Sequence, residues 1–210
     1  MRIELLKTTP DRAGRYYVKF EDDSSMRLYR QTVEDFALYT GKELSEEELD
    51  ALREHAGRMS AKMRAGRIVA ASNVSKRDLE ERLVHKGETP EQAREAVQWM
   101  TDLDLLDDAK VAEQVVSRCI SRGYGIARAR QALYEKRIPK EFWEEALAGY
   151  PDQETAITKF LAARLDETSS PREVKRAVDA LLHKGHSYGT IRKCLQQILS
   201  GCTEPESVWD

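Results

Sequence analysis

The first thirty residues of the chain alternate apolar and polar positions in three short runs. The runs RIELLK, RYYVKF and SMRLYR are rich in residues that favour β-strands, and the stretches TTPDRAG and EDDS between them favour turns. Val18 and Phe20 alternate with Tyr17 and Lys19, which is the period of a strand with one buried face. Two or three such strands are not stable alone, so the pattern predicts that they pack against helices.

From Ser45 onward the apolar positions recur every three or four residues, which predicts α-helices. Ser45 is followed three residues later by Glu48, the spacing of a capping box at a helix N-terminus. The same kind of signal indicates three further helix starts, at Thr89-Pro90 with Gln92, at Asp107, and at Ser170-Pro171 with Glu173. We predict about nine helices between residues 45 and 200.

The helical part of the sequence repeats itself. Leu83, Leu133 and Leu181 stand 50 and 48 residues apart, and a lysine follows each of them by three residues. In two of the three copies the next residue is glycine, which suits the left-handed residue that often ends a helix. Apolar or small pairs recur thirteen and fourteen residues after each leucine, on one face of a following helix: Ala96-Val97, Ala146-Leu147 and Cys194-Leu195.

These patterns predict a mainly α-helical protein with three tandem three-helix repeats and a small N-terminal extension of β-strands and helix. Each repeat is roughly 45–50 residues long, and stacked repeats share their cores and form an elongated array. We assign the chain to five segments: residues 1–44 as an N-terminal hairpin or small sheet, 45–104, 105–150 and 151–201 as the first, second and third repeats, and 202–210 as a tail.

Composition narrows the class of protein. Charged residues make up 34% of the chain and the net charge is −3, so the overall charge does not indicate a nucleic-acid-binding protein. Three cysteines without a CxxC spacing, at Cys119, Cys194 and Cys202, favour a reducing compartment. The start of the sequence lacks the apolar core of a signal peptide, and no apolar run is long enough to span a membrane. The sequence therefore predicts a cytoplasmic protein without membrane contacts.

The charge is distributed unevenly along the chain. Residues 1–56 carry nine basic and thirteen acidic residues, whereas residues 118–140 carry seven basic residues against one acidic residue. Arginines with an interleaved tyrosine can bind phosphate or the acidic surface of a partner. The candidate partner-binding residues in this central stretch are Arg118, Arg122, Arg128, Arg130, Tyr134, Lys136 and Arg137.

The same stretch allows a packing prediction. Ile126, Ala129 and Leu133 have helical spacing and are predicted to form the buried side of one helix. Tyr134 is predicted to be partly buried, because Val84 and Leu182 occupy its position in the other two copies. The alternative for the neighbouring arginines is that they belong to a solvated basic face without a binding role.

No motif in the sequence predicts catalysis. There is no phosphate-binding loop, no GxSxG and no HExxH, so we predict no enzymatic activity and no cofactor. Asp107 and Asp108 are interpreted as a helix cap and not as an acid–base pair, and Cys119 as a packed side chain. His183 and His186 have a spacing that metal ligands use, but no third ligand is placed beside them, so we predict no metal site.

The stretch from Leu105 to Ile138, LLDDAKVAEQVVSRCISRGYGIARARQALYEKRI, resembles the RecX family of recombination regulators. It has the Leu-Asp-Asp turn of that family, a Gly-x-Gly that precedes a basic helix, and a Leu-x-x-Lys near its end. SNVSKRDLEERLVHKG and LYTGKELSEEEL resemble the segments that come before it in longer members. The sequence departs from the family pattern at Val111, Ile126, Ala129 and Arg137.

The resemblance implies a function in DNA repair, recombination and the SOS response. It implies binding to the RecA nucleoprotein filament, in its groove and across neighbouring subunits, with altered and usually inhibited filament growth, ATP hydrolysis and strand exchange. The expected protein is a monomer, with single- or double-stranded DNA as a further candidate partner. The alternatives are a helical DNA-binding protein that acts without RecA, and a scaffold protein without an effect on RecA.

Overall fold

The computed structural model describes residues 1–166 and 168–198 of the chain. This part of the chain is mainly helical and has a small N-terminal sheet, which confirms the predicted fold class. Its elements are β1 (Ile3–Leu6), β2 (Arg15–Phe20), β3 (Ser25–Tyr29), α1 (Arg30–Asp35), α2 (Glu46–Ala71), α3 (Lys76–His85), α4 (Pro90–Asp102), α5 (Asp108–Ser121), α6 (Ile126–Glu135), α7 (Trp143–Ala148), α8 (Gln153–Ala162), α9 (Pro171–His183) and α10 (Tyr188–Ile198), with a 3-10 turn at Lys140–Phe142.

Two compact units make up the chain, Met1–Leu106 and a second unit that begins at Asp107. No helix in the described part of the chain is long and apolar enough to cross a membrane. The predicted tail, residues 202–210, lies outside the described residues, and so does Cys202. The division into three repeats stays a proposal, which three separate helical cores support.

The first unit begins with an antiparallel sheet in the order β1-β2-β3. Val18 lies opposite Leu6 on one side and Met26 on the other. One face of the sheet is buried and packs on the first turns of α2, where it contacts Leu49 and Leu52. The three predicted strands and their helical support are therefore confirmed.

The long helix α2 takes part in two cores. Ser45 begins it with the predicted capping box, in which the Ser45 hydroxyl accepts from the Glu48 amide and the Glu48 carboxylate accepts from the Ser45 amide. The first turns pack on the sheet, whereas Ala61 and Ala65 pack against α3 and α4. One uninterrupted helix thus connects the sheet to the first three-helix core.

The second unit contains two further cores. Helices α5, α6 and α7 enclose one of them, and helices α8, α9 and α10 enclose the other. The remaining predicted helix starts are confirmed, because the side chains of Thr89, Asp107 and Ser170 each accept a hydrogen bond from a backbone amide of the first helical turn. Nine α-helices lie between residues 46 and 198 of the described chain, as the sequence predicts.

The middle helix of each three-helix segment ends in the same backbone motif. Leu83, Leu133 and Leu181 are at most 1% exposed and occupy the same place in their cores. The carbonyl of each leucine accepts a hydrogen bond from the amide five residues later, as in a Schellman motif. The bonds run from Glu88 to Leu83 (3.2 Å), from Ile138 to Leu133 (3.1 Å) and from His186 to Leu181 (3.1 Å).

The residue that turns the chain in this motif has a positive φ in all three copies. The angles are 95° at Gly87, 57° at Arg137 and 83° at Gly185. Glycine adopts this conformation without steric cost, whereas the Cβ of another residue opposes it. Arg137 is therefore held by the motif in a conformation that its own side chain disfavours.

Candidate partner-binding surface

The central basic stretch forms the end of α5, a short turn and all of α6. Asp107 caps α5 at its start, and its carboxylate accepts from the Lys110 amide at 3.1 Å. Arg122 is the last residue before the turn, where Gly123 has a φ of 64°. Gly125 then begins α6 without a side-chain cap. Because α5 ends and α6 begins at this turn, arginines from the two helices can lie close together.

The charges of three of the predicted residues act on the thiol of Cys119. The thiol is buried, and burial raises its pKa, while the positive charges of Arg128, Arg122 and Arg118 oppose this rise. Arg118 and Arg122 are four residues apart at the end of α5 and are therefore neighbours on one face, and the charge of Arg128 on α6 acts on the same thiol. We call Arg118, Arg122 and Arg128 the α5-side patch. Cys119 itself is packed in the core, as predicted.

A second group lies on another side of α6. Arg130 and Tyr134 are four residues apart and are therefore neighbours on one face of the helix. The Arg137 guanidinium carbon lies 5.9 Å from the centre of the Tyr134 ring, within the range of a cation–π contact. We call Arg130, Tyr134 and Arg137 the α6 patch. Lys136 is half-buried at the C-cap of the same helix.

The seven predicted residues do not form one continuous face. Arg128 and Arg130 are two residues apart, so they project from α6 about 200° apart. Arg128 points toward Glu135, with 3.9 Å between Nη1 and Oε1, and its backbone lies beside Gly185. The structure therefore supports two separate basic patches on the second repeat.

The two packing predictions for α6 are wrong in part. Ala129 and Leu133 are fully buried, but Ile126 is 37% exposed and Tyr134 is 57% exposed. Tyr134 follows the buried Leu133, so it lies about 100° around the helix from the core side. Val84 and Leu182 are each 40% exposed, so the position is open in every copy. An apolar residue at a repeated position is therefore not necessarily covered by neighbouring side chains.

The N-terminus of α6 is capped by the end of α9. The amide of Gly125 donates to the carbonyl of Lys184 at 2.8 Å. A ring nitrogen of His186, Nε2, lies 3.2 Å from the carbonyl oxygen of Gly123. These contacts join the second and third repeats within the second unit. Sequence reasoning missed all of them, and the only sequence signal was the Gly-x-Gly itself.

The third repeat adds cations to this junction. Lys184 Nζ lies 5.0 Å from the centre of the Phe160 ring, and the Arg164 guanidinium carbon lies 3.8 Å from it. Lys184 Nζ also lies 3.8 Å from the place that a Cβ on Gly123 would occupy, so it is close to the α5-side patch. Neither Lys184 nor Arg164 was among the residues predicted from the sequence.

The residues considered for catalysis or metal binding have structural contacts. Asp107 is a helix cap, and His186 is buried against the backbone of the Gly-x-Gly turn. In the described residues no group of three or more His, Cys, Asp or Glu side chains is placed to hold a metal ion. The thiols of Cys119 and Cys194 are free and buried.

The fold and these patches define a class of protein, a helical-repeat protein with a small N-terminal sheet and exposed arginines on its central repeat. The family model described as RecX, second three-helix domain, matches residues 107–147. Regulatory protein RecX of Chromohalobacter salexigens is 30% identical over 131 residues, which cover 61% of this chain and 86% of that protein. The chain belongs to the RecX family.

Other relatives extend the match. Regulatory protein RecX of Clostridioides difficile is 26% identical over 206 residues and is matched over 95% of each chain. The crystal structure of RecX from Lactobacillus salivarius has a TM-score of 0.58 at 23% identity and covers 70% of this chain and 98% of that one. A further crystal structure of regulatory protein RecX has a TM-score of 0.63 at 18% identity, with 96% and 99% covered. These two structures show a shared fold.

Proposed function

We propose that this protein is a non-enzymatic cytoplasmic regulator that binds the RecA nucleoprotein filament and inhibits its ATP hydrolysis and strand exchange. Support comes from membership of a family whose relatives are named regulatory proteins. In this proposal the α5-side and α6 patches of the second repeat contact the filament. The first and third repeats add contacts on neighbouring RecA subunits.

The observation that carries this proposal is that three arginines of the second repeat are exposed and unpaired in the described part of the chain. Arg118, Arg122 and Arg130 are exposed, and among the described residues none of them forms an ion pair with a carboxylate. This contrasts with the many arginines of the first unit that do so, such as Arg58 with Glu54 and Arg82 with Asp78. A guanidinium that pairs with no carboxylate of residues 1–166 and 168–198 is available for a bidentate bond to a carboxylate or phosphate of another molecule.

The repeat architecture fits a polymeric partner. A filament presents the same surface many times, and linked repeats that bind it weakly gain affinity because the second contact becomes intramolecular. Modest contacts at each repeat are therefore sufficient for tight binding. The lack of an ion pair at Arg118, Arg122 and Arg130 within the described part of the chain also favours fast electrostatic association with an acidic surface.

The test is RecA ATPase activity on single-stranded DNA with increasing amounts of the regulator. We expect R118E/R122E and R130E/R137E each to raise the half-inhibitory concentration about tenfold or more, because each removes two charged contacts. The control is R12E/R27E, which reverses two exposed arginines of the N-terminal segment, outside the three proposed repeats. Inhibition that is unchanged in both patch variants would show that neither patch is the binding surface.

A second candidate function is direct DNA binding without RecA, and the exposed Tyr134 beside Arg130 and Arg137 favours it. An aromatic ring can stack on a base while arginines hold the phosphates. Fluorescence anisotropy of labelled oligonucleotides without RecA, measured over a range of salt concentrations, separates the two. Affinity for bare DNA that equals the affinity for filaments and falls steeply with salt would favour this candidate.

A further inference from the structure

Each three-helix segment exposes one large apolar side chain at the same place. The position is the second-to-last residue of the middle helix, directly after the buried leucine. It is occupied by Val84 in α3, by Tyr134 in α6 and by Leu182 in α9, which are 40%, 57% and 40% exposed. In α3 and α9 no other large apolar side chain is exposed. We call this recurring place in the three segments the exposed apolar position.

The backbone holds the exposed apolar position in the same way in each segment. Its carbonyl accepts a hydrogen bond from the amide three residues later, which is the second bond of the helix-ending motif. These bonds measure 2.9 Å from Gly87 to Val84, 2.9 Å from Arg137 to Tyr134 and 2.8 Å from Gly185 to Leu182. The three side chains are therefore presented from rigid, equivalent sites, and little backbone freedom is lost when a partner binds them.

The folded chain does not account for this pattern. Single exposed apolar residues are common on protein surfaces. Here the same register position is apolar in all three copies, although it adds little to any core and a polar residue would be better solvated. A position that is apolar and exposed in every copy is accounted for by a partner that covers it.

We propose that the exposed apolar position anchors the protein to successive identical subunits of a protein filament. This inference rests on the proposed function and names the contact that it uses. Each side chain enters an apolar pocket, one pocket for each subunit. Because the same side chain recurs in each segment, we expect a partner that presents the same pocket repeatedly. Linked contacts to such a partner multiply their effects on affinity.

One feature favours a protein over a nucleic acid as the occupant. Val84 and Leu182 are aliphatic and cannot stack on bases as an aromatic ring does, so their apolar area is best buried by apolar protein side chains.

The experiment compares two triple variants of the full chain. V84S/Y134S/L182S removes the three anchors. The control L5S/Y39S/M63S removes three other apolar side chains that are 42%, 61% and 42% exposed, so that equal hydrophobic surface is lost elsewhere. Circular dichroism and thermal melting confirm that both variants fold. Binding is measured by co-sedimentation with RecA filaments on single-stranded DNA, and separately by anisotropy with bare single-stranded DNA.

We expect the anchor triple to weaken filament binding at least a hundredfold, with about tenfold from each single variant, while the control stays within about threefold. Binding to bare DNA is expected to stay the same. Equal losses in the two triples would overturn the proposal and leave the proposed function standing. A loss confined to Tyr134, or a parallel loss of bare-DNA binding, would also overturn it. If the unmodified protein does not bind filaments, the proposed function itself fails.

Discussion

The backbone of Gly125, at the start of α6, lies against the backbone of Gly185, just after α9, so closely that neither position has room for a side chain. A Cβ on Gly125 would be 2.1 Å from the Gly185 carbonyl oxygen, and a Cβ on Gly185 would be 2.6 Å from the Arg128 Cβ. The close approach allows the Gly125 amide to bond the Lys184 carbonyl. The second glycine of the Gly-x-Gly is therefore required by the third repeat.

Gly125→Ala is expected to destabilise this junction. Because the added methyl group meets backbone atoms that cannot rotate away, we expect a loss of about 2–3 kcal/mol in the stability of the second unit. Thermal melting of the full chain and the hydrogen-exchange rate of the residue-125 amide measure the effect. The amide should exchange faster, because its bond to Lys184 is lost.

Gly189→Ala is the matched control for that substitution. Gly189 lies in α10, and nothing lies within 4 Å of a Cβ placed there. Alanine is the better helix former, so this variant should be neutral or up to about 1 kcal/mol more stable. If the two alanine variants melt at the same temperature, close packing at Gly125 is not the reason for its glycine.

Arg137→Gly is expected to stabilise the protein by about 1 kcal/mol, because it removes a side chain from a left-handed backbone conformation. The φ of Arg137 is 57°, and the other two copies of the motif already have glycine there. The gain is measured by urea denaturation. It is the net of relieved strain and the lost contact with Tyr134.

The reverse change isolates the backbone effect. Gly87 has a φ of 95° and open space around its missing Cβ. Gly87→Ala should therefore lower stability by about 1–2 kcal/mol through backbone strain alone. A neutral result would show that the motif tolerates a side chain at this position. Backbone strain could then not explain a gain in stability of the Arg137→Gly variant.

His186 should make the junction sensitive to acid. Its pKa is lowered mainly by burial, and the nearby Lys184 charge lowers it further, while the hydrogen bond with Gly123 opposes these effects. The carbonyl accepts from Nε2, so Nδ1 is the unprotonated nitrogen, and it is buried without a partner. Protonation would place a buried, unbonded N–H in this site.

The sign of the pH effect follows from these facts. The unfolded ring takes up a proton near pH 6.5 and the folded ring only at lower pH, so the stabilisation is complete above about 6.5 and is lost as the pH falls through the folded pKa. The slope is at most about 1.4 kcal/mol per pH unit. Denaturation at pH 7.5 and 5.5 should show a larger loss for the natural protein than for His186→Gln. Parallel curves for the two proteins would contradict this prediction.

Arg64→Ala should destabilise the first three-helix core. Glu88 is a buried carboxylate whose Oε1 lies 2.9 Å from Arg64 Nε and accepts from the Ser60 hydroxyl at 3.2 Å. Removal of the arginine leaves the buried charge poorly compensated. We expect a loss of about 2 kcal/mol, which is below the cost for a fully buried pair because Arg64 is partly exposed.

Arg94→Ala is the control for this ion pair. Arg94 pairs with Glu91 at 3.0 Å, and both side chains are more than 60% exposed. Such a pair contributes at most about 0.5–1 kcal/mol, so its loss should barely change the melting temperature. Addition of E88Q to Arg64→Ala should restore part of the lost stability, because the uncompensated charge is then removed.

Much of the fold followed from short-range patterns. The starts of α2, α4, α5 and α9 were predicted because each cap joins residues that are three positions apart. The repeated leucines were predicted because the residue that ends a helix stands at a fixed distance from the last buried side chain. The exposure of Tyr134 was not predicted, since its residue type carries no information about which neighbours cover it.

The candidate surface was predicted only as a set of residues. The excess of arginine between residues 118 and 140 is visible in the sequence, but its division into two patches depends on where α5 ends and α6 turns. Lys184, Arg164 and His186 could not be associated with this stretch. They lie many residues away from it and follow no local pattern that points to it.

By itself, the sequence determined the starts of four helices and the repeated leucines of the three middle helices, because capping bonds and helical spacing join residues within a turn or two of each other. Tertiary structure alone decided which arginines share a surface, which apolar side chains stay exposed, and why Gly125 must be glycine. These properties depend on two segments of the backbone, about sixty residues apart in the sequence, that approach to hydrogen-bond distance. Only the packing of the second repeat against the third sets that distance.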